Sequence, residues 1–170
     1  MGRPGTAEKG AIMNARSLAP TLGFVLLAAS GGAGAQTPGV AIHSVSGSFD
    51  DVKERVVMAI EARGMVLNYT AKIGDMLERT GKDIGRDRPI YAKAELLEFC
   101  SSKLSRDAME ADARNIVFCP YAIAVYSMER DAKKVYVSYR KLGSLGSGQS
   151  IKALRAVDRL LEEIVREAMQ

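Results

Sequence analysis

Apolar positions along this chain follow two rhythms. Phe49, Val52, Val56 and Ile60 recur every three to four residues, which places them on one face of a helix over 49–63. Ser48 and Asp51 stand ahead of them at capping-box spacing, with aspartate in the usual place of glutamate, and Gly64 is suited to close the last turn. The same period runs through Ile151, Leu154, Val157, Leu161, Ile164, Val165 and Ala168, predicting a long C-terminal helix with one charged face. Between these helices the pattern changes to β-type runs: Ile42 to Ser46, Met65 to Lys72, Tyr91 to Phe99, Ile116 to Ser127 and Val135 to Tyr139. Pro120 inside the fourth run calls for a bulge or for a strand that starts after it. Met76, Leu77 and Ile84 between Gly74 and Gly85 predict a short helix, and Ser101 or Ser102 caps another through about Ala111.

The order β-α-β-α-β-α-β-β-α ends in a hairpin, Tyr121 to Tyr126 against Val135 to Tyr139, which favours α+β over a doubly wound parallel sheet. The expected architecture is one small domain over 42–170, with a mixed or antiparallel sheet of about four to five strands, helices packed on it and the long C-terminal helix. Residues 36–41, small and polar, read as a disordered leader.

The N-terminal segment changes how charge is read. Arg16 precedes the apolar run Leu18 to Ala29, and Ala33-Gly34-Ala35 sets small residues where a signal peptidase reads, so residues 1–35 read as a signal peptide cut before Gln36. The run is shorter than the ~20 residues of a membrane-spanning helix. No Cys follows it to anchor a lipid, and Met13 offers a tidier start than Met1. The expectation is a periplasmic or secreted protein with no membrane anchor after cleavage. Removing Arg3, Lys9, Arg16 and Glu8 takes the 24 basic and 20 acidic residues to 21 and 19, net +2, so nucleic acid is not an expected partner. With one His and no Trp, a multi-histidine metal centre is excluded, and neither metal nor cofactor is expected.

Several segments, in order, carry a family resemblance: His43-Ser44-Val45, Phe49-Asp50-Asp51-Val52, Ala62-Arg63-Gly64-Met65, Glu95-Leu96-Leu97-Glu98-Phe99, Cys119-Pro120-Tyr121-Ala122-Ile123-Ala124-Val125-Tyr126 and Lys134-Val135-Tyr136-Val137-Ser138-Tyr139. The chain resembles the domain-of-unknown-function 302 family from about residue 40 to 168. The resemblance implies a compact α+β domain, able to form a homodimer, with no family-wide enzymatic activity. Cys100-Ser101-Ser102 departs from the Gly-Asn-Pro turn of many members.

Candidate chemistry centres on Cys100 and Cys119, the only cysteines. In an oxidising compartment they read as a disulfide, and as a reduced pair they would suit redox or sulfur chemistry. A thiol just before a helix start would have its thiolate favoured by the helix dipole, with Cys119 as the resolving partner. Glu98, Ser101, Ser102 and Pro120 are the neighbours expected around such a site. On the strand reading, Cys119 shares a core-facing side with Val117, Ile123 and Val125, while Glu95 points away from Glu98 and Cys100. Residues 143–150, Gly-Ser-Leu-Gly-Ser-Gly-Gln-Ser, match phosphate-loop spacing except that Gln149 replaces the lysine, so they read as a linker. His43 reads as a surface histidine with no sequence-local partner. The functional expectation is an exported non-enzymatic protein that binds a small ligand or protein partner, both unknown. The alternative is a thiol-based redox or sulfur-handling protein using Cys100 and Cys119.

Overall fold

The computed structural model describes Met1, Gly2 and residues 37–170. The signal-peptide reading and its cleavage point before Gln36 lie outside the described residues, apart from Met1 and Gly2.

Among the described residues, five strands and four α-helices follow in the expected order: β1 (Val40–Ser46), α1 (Phe49–Glu61), β2 (Leu67–Ala71), α2 (Ile73–Asp83), β3 (Tyr91–Phe99), α3 (Ser102–Ala111), β4 (Tyr121–Met128), β5 (Asp131–Arg140) and α4 (Ser150–Ala168). The strands form one sheet in the order β1-β5-β4-β3-β2, and every neighbouring pair is antiparallel. The architecture is therefore α+β with a fully antiparallel five-stranded sheet.

Alternation along the strands sets the core. Leu97, Phe99, Tyr121, Ile123, Val125, Val135, Val137 and Tyr139 are buried on one face, where they join Val52, Val56 and Ile60 of α1 and Leu154, Val157, Leu161 and Ile164 of α4. The residues between them turn to the other face, where the rings of Tyr126 and Tyr136 stack with centroids 5.2 Å apart and Tyr91 meets Tyr126 edge-on.

Three local readings are corrected. The supposed leader gives up Val40 and Ala41 to β1, because Ala41 lies opposite Tyr139 and is buried. The stretch before Pro120 is not strand: Ala113–Phe118 forms a 3₁₀ turn, and Ile116 and Val117 are exposed. Asp112 caps that turn by accepting the Arg114 N–H at 2.9 Å, and β4 starts after Pro120, which has no N–H to give to a ladder. Val117 therefore shares no core face with Ile123 and Val125. Ser48 does occupy the N-cap position of α1 but makes no side-chain capping hydrogen bond.

Candidate functional site

Cys100 follows the last residue of β3, and Cys119 stands one residue before Pro120, at the entrance to β4. Since Phe99 lies opposite Tyr121 in the antiparallel pair, the end of β3 and the start of β4 share one end of the sheet. The excursion through α3 therefore returns to where it left, and Cys100 Sγ and Cys119 Sγ come within 3.4 Å. That is contact, longer than the ~2.05 Å of a disulfide bond, and both are free thiols.

Polar side chains surround the pair. Asn68, exposed on β2, donates its Nδ2 hydrogen to Cys100 Sγ at 3.6 Å. Ser105 Oγ stands 3.4 Å from Cys119 Sγ and donates to the Tyr121 hydroxyl at 3.3 Å. Below them the rings of Phe99 and Tyr121 meet edge-on, with centroids 6.4 Å apart.

The expected neighbours divide by role. Ser101 is the N-cap of α3, its Oγ accepting the Leu104 N–H at 3.4 Å, whereas Ser102 is the first helical residue and is exposed. Pro120 is exposed and joined to Cys119 by a cis peptide bond. Glu98 lies opposite Tyr69 and Ala122, and its charge bears on Cys100. Glu95 turns to the core side instead, with its Oε2 3.1 Å from Lys53 Nζ. That oxygen has charge compensation but no aligned hydrogen bond. The two carboxylates therefore form no acid/base pair.

The surroundings of Cys100 act against an activated thiol at that position. Burial, then the hydrogen bond and charge of Cys119, push the Cys100 thiol up to about 11, and Glu98 adds to the rise while Asn68 opposes it.

The phosphate-loop spacing also has a structural answer. Asp158 of α4 accepts the backbone N–H groups of Leu142 and Gly143 at 2.6 and 2.9 Å. Amides at the head of the motif thus face a carboxylate, which would repel a phosphate.

Sequence reasoning missed a second cluster. His43 Nε2 on β1 lies 3.1 Å from Glu162 Oε2, the same oxygen that accepts the Tyr139 hydroxyl at 2.6 Å, while Arg166 Nε donates to Oε1 at 2.6 Å. Only the Glu162–Arg166 spacing of four was readable in advance. The concavity beside these residues also draws on Ile42, Tyr126 and Tyr136. Those side chains belong to the opposite sheet face, so the concavity wraps the β1 edge.

No curated protein matches this chain. A crystal structure described as an uncharacterized conserved protein DUF302 from Bacillus stearothermophilus is similar in fold, with a TM-score of 0.65 at 13% identity over 79% of this chain and 100% of that one. The family model for the domain of unknown function DUF302 matches residues 41–169, nearly the whole of the described fold. The chain belongs to the DUF302 family.

Proposed function

We propose that the mature chain is an exported, non-enzymatic protein whose binding determinant is the Cys100–Cys119 pair, a dithiol that opens and closes by exchange. The observation that carries this reading is the 3.4 Å approach of the two sulfurs at the adjoining ends of β3 and β4. Export is supported by the apolar run and the Ala33-Gly34-Ala35 motif, which would bring the thiols into an oxidising compartment.

Closure takes its oxidant from a partner disulfide. One cysteine thiolate attacks the partner S–S bond, forming a mixed disulfide and releasing one partner thiol. The second cysteine then attacks the mixed disulfide, forming the Cys100–Cys119 bond and releasing the second. Two electrons pass to the partner, and the two cysteine protons end on its thiols. With the Cys100 thiol pushed up to about 11, Cys100 holds little thiolate at neutral pH, and attack by this cysteine is slow. Slow exchange suits a held state better than turnover.

The test is intact mass of the full chain after oxidised glutathione, followed by alkylation. Loss of two hydrogens with full protection of both cysteines, reversed by dithiothreitol, is expected. Continued alkylation at both positions, or separate glutathione adducts, would defeat the reading.

A further inference from the structure

We propose that Cys100 and Cys119, when reduced, together take one soft monovalent metal cation of the copper(I) class between two thiolates. The proposal rests on the dithiol reading above and names its ligand. Cys100 and Cys119 adjoin the facing ends of β3 and β4, and the Phe99–Tyr121 register holds those ends together. Among the described residues no His, Asp, Glu or further Cys joins them in a metal-ligand group. The donor set is therefore two sulfurs. Structural zinc requires four ligands, and calcium or magnesium requires oxygens. Thiolates favour copper(I), zinc and iron–sulfur clusters, and of these copper(I) is the one satisfied by two thiolates.

The reaction balances without a redox partner: the cation binds two thiols, two protons leave to solvent, and the complex carries one negative charge. The sulfurs, now 3.4 Å apart, lie inside the ~4.6 Å that two metal–thiolate bonds would span in line if each were as long as the ~2.3 Å of a zinc–thiolate bond. Both cysteines are only half-buried, so one side chain has room to turn outward. Asn68 already donates to Cys100 Sγ at 3.6 Å, and the Ser105 hydroxyl, 3.4 Å from Cys119 Sγ, donates to the anionic complex by turning its one proton from Tyr121 to that sulfur. The apolar Phe99–Tyr121 floor presents no competing charge.

The test titrates the full reduced chain anaerobically with copper(I) against bicinchoninate, reading near-ultraviolet thiolate-to-metal absorption. One copper(I) per chain is expected, with at least ~100-fold weaker retention in C100S, C119S and the alkylated wild type. Ser105→Ala should weaken retention by ~10-fold at unchanged stoichiometry. The alkylated chain keeps the test decisive if a serine variant fails to fold. Equal copper uptake by the alkylated chain, no uptake by the reduced one, or zinc held in preference overturns the proposal. If glutathione closes the bridge yet no copper is held, this inference alone fails; if neither occurs, both fail.

Discussion

Tyr139 on β5 donates its hydroxyl to Glu162 on α4 at 2.6 Å, joining the sheet to the C-terminal helix through a charge-assisted hydrogen bond. His43 on the edge strand approaches the same oxygen at 3.1 Å, so one carboxylate ties three elements together.

That carboxylate makes stability depend on acid. Burial alone would raise the Glu162 carboxyl, but hydrogen bonds from Tyr139 and Arg166, with nearby positive charge, hold it down at about 2 against an ordinary 4.5. A depressed folded value means its contribution is full above about pH 4.5 and is lost as pH falls toward about 2. Glu162→Gln should therefore be less stable than wild type at pH 7, with the gap closing across that window in urea unfolding. Tyr139→Phe should cost about 1.5 kcal/mol at pH 7. A wild-type to Gln difference that stays constant down to the acid limit would rule this out.

The glycine-serine loop should respond by packing, not by ligand binding. A Cβ on Gly143 would lie 2.6 Å from Arg155 Cγ and 2.8 Å from Asp158 Oδ2, so Gly143→Ala should cost about 2 kcal/mol. Gly148 has φ +54° and open space around it, so Gly148→Ala should cost about 1 kcal/mol from backbone strain alone. Calorimetry should detect no ATP binding, and a micromolar affinity would restore the phosphate-loop reading.

Asn115 is buried and donates to the Ala108 carbonyl at 2.7 Å and to Ser150 Oγ at 2.9 Å. It joins the end of α3 to the start of α4 through two hydrogen bonds made inside the protein. Asn115→Ala should lower stability by about 2 kcal/mol, while Ala at the exposed Arg114 should change little. Equal melting of the two variants would show that this bridge contributes nothing.

Closing the Cys100–Cys119 bond would constrain a loop of 18 intervening residues, worth ~3 kcal/mol through the unfolded chain. Denaturant midpoints of oxidised and reduced wild type should differ accordingly, and C119S should match the reduced form. Identical midpoints would mean that closure strains the fold by as much as it restricts the unfolded state.

Fusion of residues 1–40 to a reporter should carry it across the cytoplasmic membrane, and N-terminal sequencing of the exported protein should begin at Gln36. A product that retains Met1 or Met13 would remove the oxidising compartment from the functional proposal.

Order and type of element were legible because each depends on periodicity within one segment. Phe49 to Ile60 and Ile151 to Ala168 repeat at the helical period, and β3 was placed at Tyr91–Phe99 despite helix formers at its centre, because flanking loops limited its length. The failures are local competitions decided outside the segment. Ile116 and Val117 have strand propensity, yet Asp112 and Pro120 confine them to a 3₁₀ turn. Ala41 looks like leader until Tyr139 stands opposite it.

The sequence by itself determined the α+β class, the closing hairpin, the helix faces and the importance of two cysteines, since all of these follow from spacing and residue chemistry along the chain. Only the tertiary structure decided that β3 and β4 are antiparallel neighbours, that Cys100 and Cys119 consequently touch, and that burial raises the Cys100 thiol where a helix start would have lowered it. It alone decided, too, that His43 meets Glu162 across 119 residues of chain. Such pairings depend on strand order and on which charges are shielded from water, and neither quantity is written in the spacing of any one segment.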